Sequence, residues 1–338
     1  MIQLTENPEV VLALIEAFGF ALIAFVLGII LTPFLTDFLY KNKLGKNIRE
    51  TSMDQKDTPV FTKFHKHKQG TPTMAGILFW GITAILTLLF NLTREETFLP
   101  LFFLVAGGIL GAIDDFANIK GIGKIKGLGA KLKLLLQVLI AGFGAYWFTD
   151  RLEWTSFHVP GGHLLGLPEN IELGLWYAPI FALIVIFIMN SVDITDGLDG
   201  LLAGSIIPSF AALAAIAFAQ GDYSLTTFLT TLIGALIAFL WFNIHPARFF
   251  MGGTGAFALG AVLASVAMLT DSIMVLPLIG FLFIVEGFSS LSQTFSKRFF
   301  GRKIYRAAPI HHHFQAKGWE ETKIVMRFWI ISSMASVA

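Results

Sequence analysis

Three carboxylates, Asp193, Asp196 and Asp199, recur at every third position in Asn190-Ser-Val-Asp-Ile-Thr-Asp-Gly-Leu-Asp-Gly-Leu-Leu-Ala-Gly204, between two long apolar runs. Residues three apart share a face on a helical stretch, and Gly197 and Gly200 let backbone approach a ligand closely. An ionisable group at the centre of a bilayer costs roughly 2.5–3.5 kcal/mol even on the lenient insertion scale, so such acids face a cavity, a cation or a partner. Helix capping accounts for one Asp here but not for three beside two glycines. The pattern predicts a site for a divalent metal and a phosphate-bearing ligand.

Four further constellations carry chemistry. Asp114 and Asp115 end an apolar run in Gly111-Ala-Ile-Asp-Asp-Phe116, where acids oppose the helix macrodipole unless something compensates. Adjacent carboxylates also repel, which favours a bound cation, and a basic stretch with Lys120, Lys124, Lys126, Lys131 and Lys133 follows them. Phe249-Phe-Met-Gly-Gly-Thr-Gly255 precedes a new apolar run, and with Thr254 as N-cap its amides are expected to cradle phosphate. His311, His312 and His313 are consecutive, so they cannot all reach one ligand; one or two are expected to contact a phosphate or a base. In His65-Lys-His-Lys-Gln-Gly-Thr-Pro-Thr-Met74 most lysines suit anionic headgroups, and Lys68, just before the Gly-Thr-Pro turn, is the one aimed at a ligand.

The elements that must hold these residues are membrane helices. The chain is 55% hydrophobic with 34 Phe and only 14% charged residues, far outside the range of a soluble domain. About 20 apolar residues cross a hydrocarbon core. Ten candidate runs lie near residues 12–36, 74–92, 98–113, 132–148, 174–190, 201–219, 225–243, 255–270, 272–292 and 324–338. The first lacks a basic leader region and carries Glu16, so it is not expected to be a cleaved signal. The last stops at Ala338 without a polar flank, and a final helix that is longer in the intact protein is expected. We expect one all-α, polytopic domain over 1–338, with no soluble domain at either end.

If the N-terminus is outside and each run crosses once, the odd-numbered connections are 37–72, 114–131, 191–200, 244–254 and 293–323. With their flanks they hold all of the 24 Lys and Arg except Arg94 and Arg151. This bias predicts that those connections are cytoplasmic, that both termini are outside, and that a cytoplasmic cleft gathers every motif above. Residues 149–173, with Pro160-Gly161-Gly162 at their centre, read as a short periplasmic hairpin. The absence of cysteine excludes disulfides, thiolate ligands and a Cys nucleophile.

The order of these motifs resembles the phospho-N-acetylmuramoyl-pentapeptide transferases, a branch of the polyprenyl-phosphate N-acetylhexosamine-1-phosphate transferase superfamily. Matching stretches include Gly70-Thr-Pro-Thr-Met74, Gly111-Ala-Ile-Asp-Asp115, Gly127-Leu128, Asn190, Thr195-Asp-Gly-Leu-Asp-Gly200, Trp241-Phe-Asn243, Phe250-Met-Gly252 and Ala308-Pro-Ile-His-His-His-Phe314 with Lys317-Gly-Trp-Glu-Glu321. The triple His and Lys-Gly-Trp-Glu-Glu are similar to the muramoyl-pentapeptide branch rather than to the branch transferring N-acetylglucosamine phosphate.

The resemblance implies a Mg²⁺-dependent enzyme of the bacterial cytoplasmic membrane. It would move phospho-MurNAc-pentapeptide from UDP-MurNAc-pentapeptide to undecaprenyl phosphate, giving lipid I and UMP for peptidoglycan synthesis. It implies no nucleic-acid partner and leaves a homodimer open. By the same resemblance Asp114, Asp115, Asp196 and His311 are the catalytic positions, with Asp114 engaging the lipid phosphate and Asp196 in metal or nucleophile duty. Asn190, Gly197, Leu198, Asp199, Asn243, Phe250, Gln293, Ala308 and His312 fall where the family forms its nucleoside and diphosphate pocket, Phe250 offering a ring to uracil. Lys131 lies in a matching stretch, Lys120 or Lys124 is expected to stand in for the lysine the family has at 118, and Lys68 and Asp193 are further expected substrate contacts. The chain departs from the family at Gly253, usually Asp; at Asp193, usually Asn; at Asn118, usually Lys; and at Ala75, usually Gly. One carboxylate lost at Gly253 and one gained at Asp193 suggest that Asp193 compensates, making Asp196 and Asp193 the expected metal ligands. A transferase of another UDP-N-acetylhexosamine is the runner-up. An ion-coupled transporter fits less well, because the acids lie at helix ends and no internal repeat is visible.

Overall fold

The computed structural model describes residues 8–45, 70–92, 95–121 and 127–337, and most of these are helical. In chain order the principal elements are α1 Pro8–Lys41, α2 Ile77–Phe90, α3 Glu95–Ile119 and α4 Ala130–Tyr146, then strands β1 Ser156–His158 and β2 Asn170–Glu172. After these come α5 Tyr177–Thr195, α6 Leu201–Ala219, α7 Tyr223–Asn243, α8 Gly253–Leu269, α9 Leu276–Ile279, α10 Phe281–Phe300, α11 Ile310–Ala316 and α12 Glu321–Val337. Among the described residues, six helices are long and apolar enough to cross a membrane, those within Pro8–Lys41, Glu96–Ile119, Ala130–Arg151, Gly174–Thr195, Leu201–Ala219 and Tyr223–Asn243; Ile77–Phe90 and Gly253–Leu269 are shorter apolar helices.

The helix surfaces follow membrane logic. In α1 the residues turned inward are mostly small, Ala13, Ala17, Ala24, Gly28, Thr32 and Thr36 with Leu39 as the one large residue, while Phe18 and Phe34 stand 69% and 70% exposed. In water that arrangement would waste apolar area; in lipid, small residues let helix backbones approach while large ones meet acyl chains. The seam with α7 makes the point: a Cβ on Gly28 would collide with the Ala238 side chain, and one on Gly234 with the backbone of Ala21.

Helix α8 is the axle of the molecule. Every residue from Thr254 to Met268 is buried, as expected for a helix apolar on all sides. It packs chiefly on α3 and α5. On α3, Gly107 and Gly111 lie one turn apart and face it; a Cβ on Gly107 would meet the carbonyl of Phe257, and one on Gly111 would run into the backbone of Gly253. That close crossing brings Asp114 and Asp115 to the start of α8.

Three details differ from the sequence expectation. Helix α3 continues through Asp114 and Asp115 to Ile119, so the acids lie within its last two turns rather than at its end. Asp193 sits inside α5, which leaves only 196–200 as the connection to α6. The run near 272–292 divides into α9 and α10 at Gly280, and α10 then extends to Phe300. Gly280, with φ of −100° and ψ of 22°, leaves the helical region and marks the break, while Pro277 sits in the first turn of α9 where proline is tolerated. The expected hairpin is present: β1 pairs antiparallel with β2, Phe157 opposite Ile171.

Candidate active site

The start of α8 is where the acids meet. Gly252, with φ of 74°, turns the chain into the helix, and its N–H donates to Asp196 Oδ2 at 3.2 Å. The next two amides serve Asp115: Gly253 N–H donates to Oδ1 and Thr254 N–H to Oδ2, each at 3.1 Å. The positive end of one helix therefore offsets the acid that opposes the dipole of another, the compensation that an acid near a helix C-terminus requires. Gly252 tolerates no side chain, since a Cβ there would strike Asp115 Oδ2 and lie 2.8 Å from Thr73 Oγ1.

Two expectations change here. The amides read as a phosphate cradle are engaged by Asp115 and Asp196, because carboxylates answer the same unsatisfied N–H groups as a phosphate. Thr254 is not the N-cap, a position taken by Gly252. Its hydroxyl donates instead to the Gly108 carbonyl at 2.9 Å and accepts from Trp80 Nε1 at 3.2 Å, tying α8 to α3 and α2.

Asp114 points elsewhere. Its Oδ2 lies 2.7 Å from Lys133 Nζ, and its Oδ1 accepts from Leu128 N–H at 2.9 Å. Lys133 also stands 5.0 Å over the Phe257 ring, which brings a cation beside the first turns of α8. Lys131, two residues earlier on α4, projects to the exposed side. Lys68 and Lys124 lie outside the described residues.

The loop after α5 is clamped from three directions. Asp199 N–H donates to Glu321 Oε1 at 2.8 Å, and Asp199 Oδ2 accepts from Ala247 N–H at 3.1 Å and from His245 Nδ1 at 2.9 Å. Gly200 N–H donates to Asn243 Oδ1, Asn243 Nδ2 donates to the Phe249 carbonyl, and Trp329 Nε1 donates to the Gly200 carbonyl. Asp199, His245 and Glu321 place one ligand atom each within 4.8 Å of the others, spacing that a metal accepts. Those atoms already satisfy one another and nearby amides, so the group works as a latch on the loop carrying Asp196. Leu198 is buried with Leu201, Leu282, Ile324 and Phe328, and Gly197 turns toward His311.

The three histidines diverge as their adjacency requires. His311 is fully buried on α11, with Nδ1 3.0 Å from Glu286 Oε2 of α10 and its other edge against Gly197. His312 Nδ1 pairs with Gln315 Oε1 at 2.7 Å. His313 Nδ1 accepts from Arg306 N–H at 3.1 Å; desolvation first, then Lys317 and Arg306, hold its pKa below the usual imidazole value. Gln293 fastens the approach to α11, its Oε1 accepting from Ile304 and Tyr305 N–H and its Nε2 donating to the Tyr305 carbonyl. Ala308 is half-buried beside the cis Ala308–Pro309 bond. Asn190 Nδ2 donates to Gln137 Oε1 and the Ile186 carbonyl, and Phe250 is half-buried with its N–H on the Pro72 carbonyl.

A continuous chain of contacts thus runs from Lys133 and Asp114 through the neighbouring Asp115 and the amides of 252–254 to Asp196, Gly197, His311 and Glu286. Lys133, His245, Glu286 and Glu321 were not singled out by the sequence reading. Three of them carried a signal that could have found them: Lys133 stands in the basic stretch after the Asp pair, Glu286 is a charge inside the apolar run 272–292, and Glu321 ends the Lys317-Gly-Trp-Glu-Glu stretch.

The model of glycosyl transferase family 4 matches residues 97–271. The phospho-N-acetylmuramoyl-pentapeptide-transferase of Geobacillus sp. (strain WCH70) is 36% identical over 314 residues, 92% of each chain. That of Caldanaerobacter subterraneus subsp. tengcongensis is 37% identical over 314 residues, 93% of this chain and 94% of the relative. That of Bacillus velezensis is 36% identical over 322 residues, 94% of each.

Proposed function

The chain belongs to glycosyl transferase family 4 and, within it, to the phospho-N-acetylmuramoyl-pentapeptide transferases, and from that premise we propose how its site works. The enzyme moves phospho-MurNAc-pentapeptide from its UDP carrier to a membrane lipid phosphate, the step that makes lipid I. Undecaprenyl phosphate is the acceptor in this reading, and the site opens to the cytoplasm of a bacterial inner membrane crossed ten times. The observation that carries the reading is the meeting of Asp115 and Asp196 on the first amides of α8, with Lys133 alongside.

A lipid phosphate monoester has a second pKa near 6 and is largely dianionic at pH 7, so it needs little deprotonation. Charge repulsion against the diphosphate is the larger barrier. In a direct transfer, a lipid phosphate oxygen bonds to the sugar-linked phosphorus while the bond from that phosphorus to the bridging oxygen breaks. UMP leaves with the electron pair. Lys133, oriented by Asp114, supplies fixed positive charge for this step, and the latch on Asp199 keeps the Asp196 loop in register.

Carboxylates gathered at one point suit Mg²⁺, which commonly takes one or two carboxylates and keeps waters and phosphate oxygens as its other ligands. Asp196, with Asp193 one turn earlier on α5, would hold it. A divalent ion held by these residues would supply positive charge to offset the phosphates.

The test is lipid I synthesis by purified enzyme with undecaprenyl phosphate, comparing UDP-MurNAc-pentapeptide with UDP-N-acetylglucosamine, with Mg²⁺ and with EDTA. Product is expected only from the muramoyl-pentapeptide donor and only with the metal. Turnover of the glucosamine donor alone would move the chain to the other branch.

A further inference from the structure

Glu286 lies in the middle of α10 and is fully buried, as is His311 across from it. A carboxylate in such a place is costly unless it has a partner, and its partner is the His311 Nδ1 at 3.0 Å. Because the carboxylate accepts, Nδ1 bears the proton and the ring has one orientation. Its other nitrogen, Nε2, is also enclosed and finds no hydrogen-bond partner among the described residues. It faces Gly197, so closely that a Cβ on that glycine would collide with it. An orphaned buried nitrogen calls for an explanation. The residue before Gly197 is Asp196, bonded to the first turn of α8.

We propose that Glu286 is a positioning residue for the transfer: it fixes the His311 ring so that Nε2, and not Nδ1, is presented to the Asp196–Gly197 loop, where it contacts the diphosphate of the nucleotide substrate. The arrangement follows the logic by which a buried carboxylate orients an active-site imidazole without touching the substrate itself. Glycine at 197 is part of the device, since any side chain there would push the ring away. The inference rests on the transfer reaction described above.

The test compares wild type with Glu286→Gln, which keeps the side-chain length but loses the carboxylate, in the lipid I assay and by ¹⁵N NMR of histidine-labelled protein. His311→Asn assigns the His311 signals among the 8 histidines. We expect kcat to fall roughly 10–100-fold, the range for loss of such a supporting partner, with both KM values within about threefold of wild type. The Nδ1–H signal of His311 should be present in wild type and shifted in Glu286→Gln, whose neutral amide oxygen is the weaker acceptor. An unchanged kcat, a loss expressed only in KM, or an unchanged His311 signal would overturn the proposal. Failure of the wild type to make lipid I would instead strike the reaction assignment, and the NMR comparison would still decide whether Glu286 holds the ring.

Discussion

Asp193 and Gly253 pose the sharpest question at the level of single residues. At Gly253 a Cβ would lie 3.4 Å from Asp115 Oδ1 and 3.5 Å from both the Gly111 carbonyl and the Phe257 ring, ordinary contacts that leave room for a side chain. An Asp there would add a carboxylate beside Asp115. If Asp193 replaces that missing group, Asp193→Asn should raise the Mg²⁺ concentration for half-maximal activity by about tenfold or more, since the ion has few protein carboxylates to lose. Adding Gly253→Asp should recover much of it. A Mg²⁺ titration unchanged in the single mutant would reduce Asp193 to a polar wall of the nucleotide pocket. The acids themselves were legible in the sequence, because charge inside an apolar run stands out. Their partners were not. Glu286 and His311 are 25 residues apart and Asp199 and Glu321 are 122 apart, and nothing local in a sequence marks such pairs.

Elements were legible in another way. Each of the ten apolar runs contains a helix, because hydrophobicity over twenty residues is a strong signal, whereas ends and breaks depend on contacts. Helix α3 outruns its apolar stretch because Asp115 finds the amides of α8 and Asp114 finds Lys133, partners that repay two acids near its C-terminus. The glycines that permit this crossing gave no sign in the sequence of what they would touch. Gly111→Val should force α3 from the backbone of Gly253, and overpacking of this kind typically costs about 1–3 kcal/mol. The thermal midpoint in detergent should fall and transfer should weaken, since Asp115 moves with the helix. Gly142→Val on α4 is the control, because a Cβ there meets nothing within 4 Å. Equal behaviour of the two variants would contradict the packing argument.

For the whole molecule, charge distribution predicted which loops share a side, but not that one buried helix would collect them. The convergence on α8 arises from close packing at small residues, Gly107 and Gly111 of α3 against α8 and Gly260 of α8 against Met189 of α5, which composition does not encode. Orientation can be read directly, since the chain has no cysteine and a single introduced one is a clean reporter. Glu169→Cys beside the hairpin, where the native side chain is 67% exposed, should react with an impermeant maleimide in intact spheroplasts. Lys303→Cys, between α10 and α11, should react only after permeabilisation. The opposite pattern would invert the topology. The central claim is that the carboxylates meeting at the start of α8 perform the transfer, and Asp196→Asn in the lipid I assay tests it most directly. The account predicts a folded protein, with a thermal midpoint within a few degrees of wild type, and transfer reduced by roughly a hundredfold or more, as when a preorganised charged group is removed. Activity within a few-fold of wild type in that folded variant would contradict it.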